Sequence, residues 1–183
     1  MFVLVKRFSH PGEIQVKQKN LLTTLSSVGK EYYVSFEMRI DKNTPGDWTN
    51  VLHLTNRDNH GQHGDRIPAI FIFQNNQLHV ASSVNGNPNH LYSTWIKHKK
   101  WYKLEIQQVY KGGKVAKFLR SQICKFRPFQ YHYQVKLDGK LVQNVVNKHP
   151  RTFNNVRVYA SNHWHAAING KIKNLVISET GIA

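Results

Sequence analysis

Apolar and polar positions alternate along most of this chain. Between 31 and 40, Val34, Phe36, Met38 and Ile40 fall on one side and Tyr33, Ser35, Glu37 and Arg39 on the other. A period of two means a strand with one buried and one wet face. Segments 49–55, 67–74, 77–84, 101–109, 131–137, 141–146, 155–160 and 171–178 repeat the habit. Between them lie clusters of Asn, Gly, Pro and Asp at 41–47, 56–65, 85–89, 138–139 and 169–170, the residues that turn a chain. Asp138-Gly139 between two alternating runs predicts a two-residue hairpin. Many strands without intervening helices predict an all-β protein, a sandwich or barrel of antiparallel sheets. No composition shift or repeat divides the chain, so 1–183 is expected to be one domain.

One segment breaks the alternation. In 111–129, Val115, Phe118, Leu119 and Ile123 are spaced close to one helical face, among Lys111, Lys114, Lys117, Arg120, Lys125 and Arg127. A short basic helix near 115–124 and a pair of basic strands joined by a turn both fit. The segment also concentrates the charge. The whole chain carries 26 Lys and Arg against 10 Asp and Glu, a formal +16. From 97 to 136, eleven bases face a single acid, Glu105, so this stretch alone holds +10. Such a balance favours a polyanionic partner met by the middle of the chain. Solubility or adhesion without a specific ligand is the plainer alternative.

Composition excludes several chemistries. Cys124 is the only cysteine, so neither an intrachain disulfide nor a cysteine zinc site forms. No apolar run approaches membrane-spanning length. Phe2 to Val5 supplies four apolar residues before Lys6, too few for the apolar part of a leader. Either the chain acts in the cytoplasm, or it is extracellular and its leader has been removed. No Asn-x-Ser/Thr acceptor, phosphate-cradling glycine loop or Gly-x-Ser-x-Gly turn occurs.

Several strings resemble one family. They are 31-EYYVSFE-37, 50-NVLHLT-55, 64-GDRIPA-69, 78-LHVASSVNGN-87, 101-WYKLEIQQ-108, 135-VKLDGK-140, 155-NVRVYASNHW-164 and 170-GKIKNLVI-177. In order and spacing they look like a concanavalin A-like lectin and glucanase jelly roll, closest to the laminin-G-like branch found in extracellular proteins of marine invertebrates. The resemblance spans about 31–177 and implies a two-sheet antiparallel jelly-roll sandwich. It says little of ligand, because this fold carries lectins, adhesion modules and glycan enzymes alike. The 111–129 segment is longer than the family's usual connection, and Asn162 stands where the family could place an acid. The turn at 64–66 is the kind in which an acid binds Ca²⁺, which makes Asp65 the candidate metal residue. An ion pair with Arg66 that braces the loop is the competing role.

A hydrolase of this fold needs two facing carboxylates. Glu37 and Glu105 could meet across neighbouring strands, but pairing with Arg39 or Lys103 accounts for them more simply. A non-catalytic binding module is therefore expected. His60, His63 and Asp65 in one loop, and His163 and His165 in another, are the histidines that invite a metal. Sugar binding asks for aromatic faces and side-chain amides, and Trp95, Asn85, Asn87, His163 and Trp164 supply both. Lys97, Lys99, Lys100, Lys114, Lys117 and Arg120 would add charge-assisted contacts to a sulfated or uronic polysaccharide. The opposing reading places Trp95 and Trp101 in the core and the lysines in solvent. An acidic matrix or mineral surface is the second partner class. Nucleic acid is the third, since 125-KFRPFQYHY-133 interleaves bases with rings but joins no known module.

Neutralising Lys114, Lys117 and Arg120 together is expected to weaken polyanion binding and its salt dependence while the domain stays folded. Exposed charges contribute only about 0–1 kcal/mol each to stability. Titration at two salt concentrations beside a thermal melt checks both halves.

Overall fold

The computed structural model describes residues 2–42, 47–112 and 129–182. In chain order the strands are β1 (Phe2–His10), β2 (Ile14–Gln15), β3 (Leu21–Val28), β4 (Tyr32–Ile40), β5 (Trp48–Thr55), β6 (Ala69–Phe73), β7 (Gln77–Val84) and β8 (Asn87–Trp95). They continue as β9 (Tyr102–Lys111), β10 (Gln130–Leu137), β11 (Lys140–Asn147), β12 (Phe153–Tyr159), β13 (Ala166–Ala167) and β14 (Gly170–Ile182). One sheet, called A, runs β1-β14-β4-β9-β10-β11 with β2 beside β14. The other, B, runs β3-β12-β5-β6-β7-β8 with β13 beside β5. All pairs are antiparallel except β13 with β5. The result is the two-sheet antiparallel sandwich that the alternation predicts. The helix expected near 115–124 lies outside the described residues. Among those described, no helix is long and apolar enough to cross a membrane.

One apolar cluster fills the space between the sheets. Sheet A contributes Val34, Phe36, Met38, Ile40, Leu104, Ile106, Tyr133, Val135, Ile172 and Ile177. Sheet B contributes Leu52, Leu54, Ile70, Ile72, Leu78, Val80, Val156 and Val158. The four β4 residues expected inside are 0–1% exposed. Of those expected outside, Tyr33, Glu37 and Arg39 are half-buried, but Ser35 is buried. It sits mid-sheet between Val176 and Glu105, and so small a side chain is overshadowed by its cross-strand neighbours.

Turn chemistry follows the sequence. Asp138 and Gly139 both take positive φ, 49° and 77°, as a two-residue hairpin of right-handed twist requires. Gly170 has a different task. A Cβ there would lie 2.1 Å from the Arg39 carbonyl oxygen, so only glycine lets β14 approach β4 at this point.

On the outer face of sheet A the acids are paired. Glu105 accepts a hydrogen bond from Tyr33 at 2.8 Å and meets Lys103 at 3.8 Å. Glu37 meets Lys173 at 3.4 Å and accepts from Asn174 at 2.7 Å, so Lys173 rather than Arg39 is its cation. Arg39 binds Asp41 at 2.7 Å and, with Lys173, lies over the Trp101 ring at 5.2 and 4.2 Å. Trp101 therefore belongs to this face and not to the core.

Phe36→Ala should lower unfolding free energy by about 3–5 kcal/mol, since it empties a site sealed between two sheets. Gly170→Ala should also destabilise, because the β4–β14 ladder has to part locally. Urea denaturation monitored by tryptophan fluorescence measures both.

Candidate functional site

The outer face of sheet B is not the wet surface that simple alternation leads one to expect. In β6, Ala69 and Phe71 are buried on the side away from the core, and Phe73 is half-buried there. Trp48, His79, Ala81, Leu91 and Trp95 share that side. A bulge in β5 helps to make this face. Pairing with β6 shifts between Asn50 and Leu52, so Trp48 and Asn50 point outward before it and His53 after it. The Asn50 side chain fixes the bulge by donating to the Ile70 and Leu52 carbonyls at 2.9 and 3.4 Å.

A cleft of about 210 Å³ opens on this face, lined by Trp48, Arg66, Phe71, His79, Ala81, Asn89, Leu91 and His165. Its floor is apolar, with Phe71 touching Trp48 edge-on at 6.1 Å and His165 at 5.0 Å. Arg66 lies over Phe71 at 5.5 Å. Its Nε and Nη2 donate to Asn59 Oδ1 at 3.2 and 3.1 Å, and its Nη1 donates to Asn89 Oδ1. Both partners are neutral amides. The nearby Asp65 charge acts on Arg66 through space but spends its oxygens elsewhere. His79 is 7% exposed, and neither ring nitrogen has a hydrogen-bond partner among the described residues. Burial lowers its pKa, so the imidazole is neutral, offering one donor and one acceptor beside Trp48, 4.9 Å away. An unpaired buried polar group of this kind costs free energy in the folded protein.

Two loops frame the cleft, and one histidine ties them together. The carboxylate of Asp65 accepts the backbone N–H groups of Asp58, His60 and Gln62 at 3.3, 2.9 and 2.6 Å. The loop is braced by its own amides, not by the Arg66 ion pair the sequence suggested. Amide dipoles aim their positive ends at this carboxylate, an arrangement that does not fit Ca²⁺. Among the described residues no three His, Cys, Asp or Glu groups gather as a metal would need. His60 is exposed near Asp58, while His63 stacks on Phe153 at 5.6 Å. In the other loop, buried Asn162 Oδ1 accepts from the backbone N–H of Trp164 and His165 and from His165 Nδ1, at 3.0, 2.9 and 3.2 Å. That orientation leaves Asn162 Nδ2 to donate to His53 Nδ1 at 2.7 Å. His53 Nε2 then carries the ring proton and donates to the Asp65 carbonyl at 2.5 Å. Burial, the dominant cause, drives the His53 pKa down to about 3 against the weaker upward pull of the Asp65 hydrogen bond.

The residues expected from the sequence are dispersed. Trp95 is 72% exposed on β8, outside the core, on the same face as the cleft. Asn87 is exposed on that strand, its Oδ1 accepting the Asn89 N–H at 2.9 Å. Asn85 is elsewhere and committed. Its amide donates to Val146 and accepts from Lys148, both at 2.6 Å, clamping the β7–β8 turn to the end of β11. His163 is exposed, with its ring 3.8 Å from that of Trp164, which also contacts His53 at 5.6 Å. Lys97 and Lys99 are exposed beyond Trp95. Lys100 is drawn to sheet A, 3.4 Å from Asp138 and over Tyr102. Lys114, Lys117 and Arg120 lie outside the described residues. Arg66, Phe71, His79, Ala81 and Leu91 were not expected as cleft residues. A signal existed for Phe71 alone, in 69-AIFIF-73, which is apolar at every position as a strand covered on both faces is.

This architecture is a two-sheet antiparallel jelly roll, and solved structures of the same fold match it. A native heptameric SAP-like pentraxin from Limulus polyphemus matches with a TM-score of 0.53 and 12% identity, over 92% of this chain and 73% of that one. The CBM40 module of a Ruminococcus gnavus IT-sialidase, bound to α2,3-sialyllactose, matches with a TM-score of 0.51 and 9% identity, over 85% and 79%. At such identities the likeness is one of fold. No protein-family model matches the chain, and no curated protein is similar to it in sequence.

Because His53 is held neutral in the folded protein but takes a proton from about pH 6.5 when unfolded, acid favours unfolding. Stability should be undiminished by this group above pH 6.5. It should fall by roughly 1.4 kcal/mol per pH unit below that, toward pH 3. Urea titrations at pH 7.5 and 5 should show the loss, and a shallower pH dependence in His53→Gln.

Proposed function

We propose that this chain is a non-catalytic, extracellular glycan-binding module of the concanavalin A-like, laminin-G-like kind, and that it seats an acidic sugar in the sheet B cleft. The observation that carries the reading is the chemistry of that cleft. An apolar floor of Phe71, Ala81 and Leu91 lies beneath polar groups that the protein leaves unspent. Sugar rings present C–H faces and a rim of hydroxyls, which match the aromatic surface and the polar Arg66 and Asn89 side chains beside it. Arg66, half-buried with only amide oxygens in contact, offers remaining N–H donors and an unneutralised charge to a carboxylate or sulfate. The sialyllactose-bound Ruminococcus gnavus module supports a sugar site on this fold. Exposed Lys97 and Lys99 extend the positive surface past Trp95.

Binding without hydrolysis is supported by the placement of the acids. Among the described residues no carboxylate lines the cleft, while Glu37 and Glu105 are paired with lysines on the outer face of sheet A.

A glycan array at two salt concentrations tests the reading. Acidic glycans should bind, more weakly at the higher salt. Arg66→Gln should lose about 1.5–3 kcal/mol, the scale of a hydrogen bond to a charged group. His79→Ala should weaken neutral and acidic sugars alike, with thermal melts confirming the fold. Binding that survives both substitutions would place the ligand elsewhere, and steady release of reducing ends by pure protein would overturn the non-catalytic half.

A further inference from the structure

The cleft does not end the aromatic surface of sheet B. Trp48, Phe73, Gln77 and Trp95 are successive cross-strand partners, one from each of β5, β6, β7 and β8. Cross-strand partners share a face, so the four form a single row across the sheet. Trp48 leans on Phe73, with centroids 4.5 Å apart, at the cleft end. Trp95 stands at the other end, the most exposed large apolar side chain among the described residues. Three strand spacings separate the two tryptophans, about 14 Å. Along β8, Trp95 lies two outward positions beyond Leu91, which lines the cleft, or about 13 Å. No single sugar touches both.

What lies between is polar and low. Gln77 is half-buried and Ser93 exposed, an amide and a hydroxyl beneath the line joining cleft to Trp95. Beyond Trp95 the chain leaves the sheet through Lys97 and Lys99, both exposed and without an ion-pair partner among the described residues. We infer that the site takes an internal stretch of a linear anionic glycan. One acidic residue sits in the cleft, the chain crosses Gln77 and Ser93, a second ring stacks on Trp95, and a further acidic group meets Lys97 or Lys99. Roughly three to four rings span this distance, given the strand spacing. The inference rests on the glycan reading of the cleft and adds to it the ligand's length, direction and second contact.

The test uses two series of defined length, oligomers of a linear polyuronate and heparin-derived oligosaccharides, each titrated calorimetrically from one or two rings upward. The two series distinguish a carboxylate from a sulfate as the recognised anion. Affinity should climb with length to about four rings and then level. Trp95→Ala should remove that climb, about three- to tenfold, the worth of one aromatic contact, and leave the shortest binding ligand unchanged. Trp48→Ala should weaken every length. Affinity in both series that ignores chain length, or a Trp95→Ala protein identical to the parent at all lengths, overturns the inference while sparing the cleft. If no oligomer of either series binds the folded protein, the underlying glycan reading fails with it. A Trp95→Ala protein whose only change is lost self-association in sedimentation makes the row a protein contact and also overturns the inference.

Discussion

β5 is covered on both faces, by the core on one and by the cleft's own walls on the other, and simple alternation cannot serve both. Unbroken period two would put Val51 and His53 together on one side and Leu52 with Trp48 on the other. The bulge at Asn50 re-phases the strand, so Leu52 and Leu54 stay between the sheets while Trp48, Asn50 and His53 face outward. One extra residue therefore lets a single strand complete the core and present the polar hub of the site.

That hub is a closed set of buried amides around one imidazole. Asn50 Oδ1 accepts the Asn162 N–H at 2.8 Å, Asn162 donates to His53, and His53 donates to Asp65. Each member satisfies groups that would otherwise be stranded, and together they join the bulge, the 56–65 loop and the 161–165 loop. The cleft walls are thus set by hydrogen bonds behind them. Arg66 differs in kind, since it lines the cleft and only part of its N–H capacity is spent.

Nine strands and the sandwich were legible because most of those strands show their two faces to different media. β8 was not, since 85–89 reads as a turn cluster rich in Asn, and only its alternation of exposed and half-buried residues in the fold reveals a strand. β3, with 21-LLTTLSSV-28, is an edge strand whose weak apolar signal does not rise above loop composition. The site was less legible still. Trp95 and Asn87 could be named as aromatic and amide, but Asn85 belongs to a clamp made with residues some sixty positions away. Asp65 carried a family expectation that its three amide donors replace. Phe71 and His79 face the cleft because the sheets choose a side for them, and an all-apolar run holds no information about which side that is.

The clasp on Arg66 has a consequence for the conditions under which the protein works. Carboxylate partners would be titrated away in acid, whereas the Asn59 and Asn89 amides hold the guanidinium in the same place at any pH the fold survives. The position of the Arg66 guanidinium is therefore independent of acidity, while the scaffold around His53 weakens as protons accumulate. The placement of this guanidinium and the durability of the fold thus respond to acidity by separate means.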